Sequence, residues 1–178
     1  MIILGVDPGT IVAGYGVIRA EGDEREPLEY GVLKLGAKRP MPERLRILYD
    51  GLDDLVAKSR PEALALESAF HGKNAQSALK IGYARGTAMT VAAKRGVEVA
   101  EYAPREIKKA VVGSGAAAKA QVAFMARTLL AISDDDLPED ATDALAVALC
   151  HAVRKDAPET TSRGWAAFVE SNPERVEE

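Results

Sequence analysis

Four acidic residues stand where chemistry could be done. Asp7 closes the apolar run Ile2 to Val6, Glu67 closes a second such run from Ala63 to Leu66, and Asp140 and Asp143 lie three apart near the start of a long helical pattern. Residues three apart on a helix share a face, and the carboxyl ends of strands in an open α/β sheet are where functional groups are presented. If the four converge, each close pair at about 5 Å costs roughly 3 kcal/mol at an effective dielectric near 20. Bound cations relieve that repulsion. The single Cys150 and the widely separated His71 and His151 exclude a zinc cage. Oxygen ligands therefore predict hard cations, Mg²⁺ or Mn²⁺. Two such ions about 4 Å apart would generate hydroxide from water and stabilise the departing oxygen of a phosphodiester. Each acid alone has a plainer reading: Asp7 before Pro8-Gly9 as a turn residue, Asp140 and Asp143 as complements of a helix dipole.

The charge pattern bears on the partner. The net charge is −4, yet Lys73 to Lys119 holds nine basic residues against three acidic ones, a local +6. A segregated basic segment is the electrostatic footprint of a nucleic-acid partner, with one solvated helix face as the alternative. Within it Lys73, Lys80, Arg85 and Lys109 are candidates for peripheral phosphate contacts or for solvated charge alone.

The elements that must position these groups follow from periodicity. A chain of 178 residues, 47% hydrophobic and 28% charged, suits one domain with a single core. It holds no uncharged apolar stretch long enough to span a membrane. The opening MIILGVDPGT carries no export signal, which predicts a cytoplasmic location. Strands are predicted at Ile2 to Val6, Tyr15 to Arg19 and Tyr30 to Leu35, the last two separated by the polar stretch Glu21 to Glu26 and its closing Pro27. A helix runs from Pro42 towards Pro61, then a strand at Ala63 to Leu66, a helix over Asn74 to Arg95 and a strand at Val97 to Ala100. Gly82 and Gly86 are spaced for close packing of that helix against another helix or backbone. Helices follow at Pro104 to Lys109, Lys119 to Ala131 and Leu137 to Val153, the last with Asp136 and Glu139 spaced as a capping box. The order predicts an α/β fold: a mixed five-stranded sheet, antiparallel meander first and parallel strands after, flanked by helices. The domain is expected to span residues 1–157, with 158–178 a polar tail whose large apolar residues are Trp165 and Phe168.

Four motifs in order carry a resemblance: GVDPGT at Gly5 to Thr10, LALESAF at Leu64 to Phe70 followed by KNAQSALKIGYARG, VVGSG followed by AKAQV, and EDATDALAVALCHA at Glu139 to Ala152. Together they resemble the RuvC family of Holliday junction resolvases, over roughly Met1 to Val153. The resemblance implies a ribonuclease H-like fold and metal-dependent cutting of four-way DNA junctions by paired symmetric nicks, in recombination and repair. It implies Asp7, Glu67, Asp140 and Asp143 as the metal-binding catalytic acids, with Mg²⁺ as cofactor, two ions per site, and Mn²⁺ as a substitute. Where some family members place a histidine at the second acidic position of the last helix, this chain has Asp143. Phe70 matches an aromatic residue that stacks on bases near the junction centre, and Lys108 and Lys119 match lysines of DNA contact and activity. A homodimer and cooperation with the RuvA and RuvB branch-migration proteins are implied as well. A two-fold symmetric substrate nicked twice suits a two-fold symmetric enzyme. Other readings are a RuvX-type nuclease acting on ribosomal RNA precursor, and a non-catalytic junction-binding module. An actin-like kinase shares GVDPGT, but its second lobe does not fit in 178 residues.

Overall fold

The computed structural model describes residues 1–68, 75–134 and 136–156. Five strands form one sheet in the order β3-β2-β1-β4-β5. They are β1 (Ile2–Asp7), β2 (Val12–Glu21), β3 (Glu24–Lys34), β4 (Ala63–Glu67) and β5 (Glu98–Tyr102). β1 pairs antiparallel with β2 and parallel with β4, β2 pairs antiparallel with β3, and β4 pairs parallel with β5. The mixed sheet expected from the sequence is therefore present, meander first.

Both faces of β1 and β4 are covered, which is why these strands read as unbroken apolar runs. Leu4, Val6, Leu64 and Leu66 face α1 (Met41–Ser59) and α2 (Ala75–Arg95), packing with Leu48, Leu52, Ala88 and Val91. Ile3 and Ala65 face the other way, towards α5 (Glu139–Asp156), which is backed by α3 (Pro104–Val112) and α4 (Lys119–Leu129). Strand alternation then puts Asp7 and Glu67 on the α5 side, at the ends of their strands.

Several expectations need correction. The stretch Glu21 to Glu26 is not a connection: β2 runs to Glu21 and β3 starts at Glu24, leaving Gly22, at φ +55°, and Asp23 as the turn. Pro27 lies inside β3 because β3 is an edge strand and Pro27 stands opposite Ile18, where the register shifts. An edge position or a bulge tolerates the missing N–H. β5 is displaced to Glu98–Tyr102, and α3 continues to Val112, where Gly113 at φ +79° ends it. α4 stops at Leu129 and α5 begins at Glu139. The capping box does not form, since the Asp136 amide binds Asp134 Oδ1 and the Glu139 carboxylate reaches Lys119. Gly82 and Gly86 make no close packing: a Cβ at either would meet open space. Residues 158–178, read as a tail, lie outside the described residues, as do Phe70, His71 and Lys73.

Candidate active site

Three elements bring the acids together. Asp7 ends β1 and Glu67 ends the neighbouring β4, so the sheet fixes both. The first turns of α5 supply Asp140 and Asp143 above them. Burial, then the charges of Asp143, Glu67 and Asp140, push the Asp7 carboxyl up from 3.8 to about 7. Burial and then Asp143 also raise Glu67, against Lys119 and Lys108, which lower it. Burial raises Asp143 although its bond to Lys119 pulls the other way. Asp7 thus feels the charge of the other three acids, and Asp143 acts on both strand-end carboxyls.

Lys119, the first residue of α4, answers them. Its Nζ lies 2.5 Å from Glu139 Oε1 and 2.8 Å from Asp143 Oδ2. Burial works against its charge, but the two carboxylates outweigh that and hold the ammonium above the ordinary lysine range. Gln121 fixes the start of α4 by accepting the Ala118 N–H at 2.9 Å. Glu67, Lys108, Lys119 and Asp143 line one pocket of about 200 Å³, closed behind by Ile107, Val122 and Val147.

The remaining basic candidates divide. Lys80 and Lys109 are exposed, on α2 and α3. Arg85 is only 14% exposed and its guanidinium is paired with Glu101 of β5, so it ties α2 to the sheet. Glu139, spaced in the sequence as half of a capping box, is instead the second partner of Lys119. The only sequence sign of this was its place one helical turn before Asp143. His151 is fully buried, its Nδ1 2.8 Å from the Tyr102 hydroxyl, and lies away from the acids as part of the core.

The donors suit a hard divalent cation: all four are carboxylates, and Asp7 is driven towards its neutral form by burial and its neighbours. Among the described residues no three Asp, Glu, His or Cys side chains form a ready-made cage. The Lys119 ammonium, not a third acid, sits against Asp143.

An antiparallel meander continued by parallel strands, with acids at the ends of β1 and β4 and on the helix laid across them, defines a ribonuclease H-like nuclease. The family model for crossover junction endodeoxyribonuclease RuvC matches residues 3–151. The RuvC of Desulforamulus reducens is 46% identical over 152 residues, covering 85% of this chain and 93% of that protein. The Thermus thermophilus RuvC structure in complex with Holliday junction substrate superposes with TM-score 0.83 at 34% identity, covering 88% of this chain and 95% of that one. The yeast mitochondrial Holliday junction resolvase Ydc2, at 15% identity and TM-score 0.63, shares the fold. The chain belongs to the RuvC family of crossover junction endodeoxyribonucleases. That membership disfavours both the RuvX-type reading and the non-catalytic binding module. The family's nucleases are metal-dependent.

Proposed function

We propose that this chain resolves four-way DNA junctions in recombination and repair, cutting two strands by paired symmetric nicks. The observation that carries the reading is the placement of Asp7, Glu67, Asp140 and Asp143 at the joint edge of β1, β4 and α5, where burial and its neighbours raise the Asp7 carboxyl. Asp7, Glu67, Asp140 and Asp143 would hold two Mg²⁺, or Mn²⁺ in its place, which supply charge neutralisation and activation of the attacking water. Lys119, held by Asp143 and Glu139, keeps a full positive charge beside the reacting phosphate and offsets charge that develops there. Lys108, on the wall of the same pocket, and the exposed Lys80 and Lys109 hold flanking phosphates. Lys73 and the stacking Phe70 complete the DNA contact by resemblance to the family. Arg85 serves structure instead.

Two cuts on a two-fold substrate call for a homodimer. Support comes from α2, whose residues 75–80 are all exposed and whose Leu79 and Tyr83 stand 55% and 45% exposed beside Gly82 and Gly86. Residues 1–157 are the nuclease unit. The protein works in the cytoplasm, in cooperation with RuvA and RuvB. Among the described residues no helix is long and apolar enough to cross a membrane.

The test is cleavage of an end-labelled four-way junction and of a linear duplex of the same arm sequence, with Mg²⁺, Mn²⁺ or chelator. Symmetric nicks confined to the junction are expected, lost with chelator and in Asp7→Asn, while Asp7→Asn still binds the junction. Cutting of the duplex alone, or equal loss of binding and cutting in Asp7→Asn, overturns the reading.

A further inference from the structure

The position of α5 over the sheet depends on residues that carry no functional group. Gly14 of β2 is the register partner of Asp7, and Gly5 of β1 stands two residues before Asp7 on the same face. A Cβ built on Gly14 would fall well under 3.0 Å from the carbonyl oxygen of Asp140, and one on Gly5 equally close to the carbonyl oxygen of Ala144. Both clashes are with helix backbone, which has no rotamer to turn aside. Gly16 differs in degree: its added Cβ would first meet the Leu145 side chain, at 2.6 Å from Cδ2, and helix backbone only at 3.1 Å, the Leu145 Cα. So one helix turn, the turn that carries Asp140, rests directly on the residue paired with Asp7.

We propose that Gly14 is a positioning residue for the carboxylate site: with Gly5 it sets the height of α5 over β1 and β2, and thereby the reach of Asp140 and Asp143 towards Asp7 and Glu67. Close-packed interiors transmit such displacements instead of absorbing them. A methyl group at Gly14 would lift this end of α5 by roughly 1 Å, a misplacement large enough to disable a site. Lengthening an acid by one methylene, about 1.5 Å of added bond, spans such a gap. Asp140→Glu therefore restores reach in a lifted helix and overshoots in the native one.

The inference rests on the metal-site reading above and is tested by binding, apart from cleavage. The full chain, free of DNA, is titrated with Mn²⁺ while the signal of the free ion is followed by electron paramagnetic resonance, and each variant is melted in parallel. Gly14→Ala is expected to melt lower than wild type and to bind Mn²⁺ about tenfold or more weakly, as loss of groups that orient metal ligands commonly does. Adding Asp140→Glu to Gly14→Ala recovers affinity without recovering the melting temperature, whereas Asp140→Glu alone weakens binding. Gly16→Ala keeps wild-type affinity. A purely structural role for Gly14 would move the melting temperature and leave no rescue. A folded Gly14→Ala with wild-type affinity, or a double variant no tighter than Gly14→Ala, overturns the proposal. Should Gly14→Ala not fold, Ala141→Ser decides in its place: this smaller wedge sits at a fully buried residue of the same turn. It is expected to weaken Mn²⁺ binding several-fold, and unchanged affinity overturns the proposal. A wild-type chain that binds no Mn²⁺ sinks the metal-site reading itself, a different result from an affinity indifferent to Gly14.

Discussion

Asp7 is held against its own ionisation. Burial comes first among the causes, and Asp143, Glu67 and Asp140 add their charge, so the group takes up its proton near pH 7, not at the 3.8 of a free side chain. An acid whose folded pKa is raised binds more protons in the folded state than in the unfolded one between the two values. Stability then falls as pH rises from about 4 to about 7. In the presence of chelator, Asp7→Asn should gain on wild type by about 3 kcal/mol between pH 5 and pH 8, read from urea unfolding at the two pH values. An equal difference at both would mean that neither burial nor the neighbouring carboxylates raise Asp7. The four acids were legible in the sequence because each closes an apolar run or shares a helix face. Glu139 was not, since its partner Lys119 lies twenty residues away on another helix, and only folding brings them to 2.5 Å.

Elements with one dominant signal were legible: β1 and β4 as short apolar runs buried on both faces, α5 as an apolar run too long for a strand and buried on every side from Ala144 to Ala152. Those whose signals compete were not. Pro27 argued for a break, yet an edge strand with a register shift accommodates it. Gly82 and Gly86 suggested close packing, yet a Cβ at either would meet nothing within 4 Å, and the two line an open groove between α1 and α2. Helix stability in proteins comes mostly from packing of an apolar face, and the first buried residue of α2 is Ala84, more than two turns in. A second copy of the chain laid along α2 would supply the missing packing for Leu79 and Tyr83. Leu79→Asp with Tyr83→Asp should therefore convert a dimer to a monomer by light scattering, with little change in the circular dichroism of the folded chain. A chain that is monomeric before substitution, or still dimeric after it, removes α2 as the interface.

At the scale of the whole molecule, the separation of charge decides how DNA is met. The net charge of −4 repels a polyanion at long range, but Lys108 and Lys119 share the pocket of Glu67 while acids such as Glu21, Glu24 and Glu26 are gathered on the β2–β3 hairpin. On the proposed reading, Lys108 and its neighbour Lys109 on α3 would meet the junction and displace condensed counterions from its phosphates. Each phosphate neutralised contributes about 0.9 to the slope of log affinity against log salt for duplex DNA. Removing Lys108 and Lys109 together should weaken junction binding and reduce that slope by about 2. Lys58 gives the contrast: it is paired at 2.7 Å with Glu29, on β3 at the far edge of the sheet, so Lys58→Ala should leave the slope unchanged. Binding measured by gel shift or anisotropy from 50 to 200 mM salt reads both variants. A slope that falls equally in Lys58→Ala would assign affinity to net charge alone, and a slope unchanged in the double variant would move the DNA off α3.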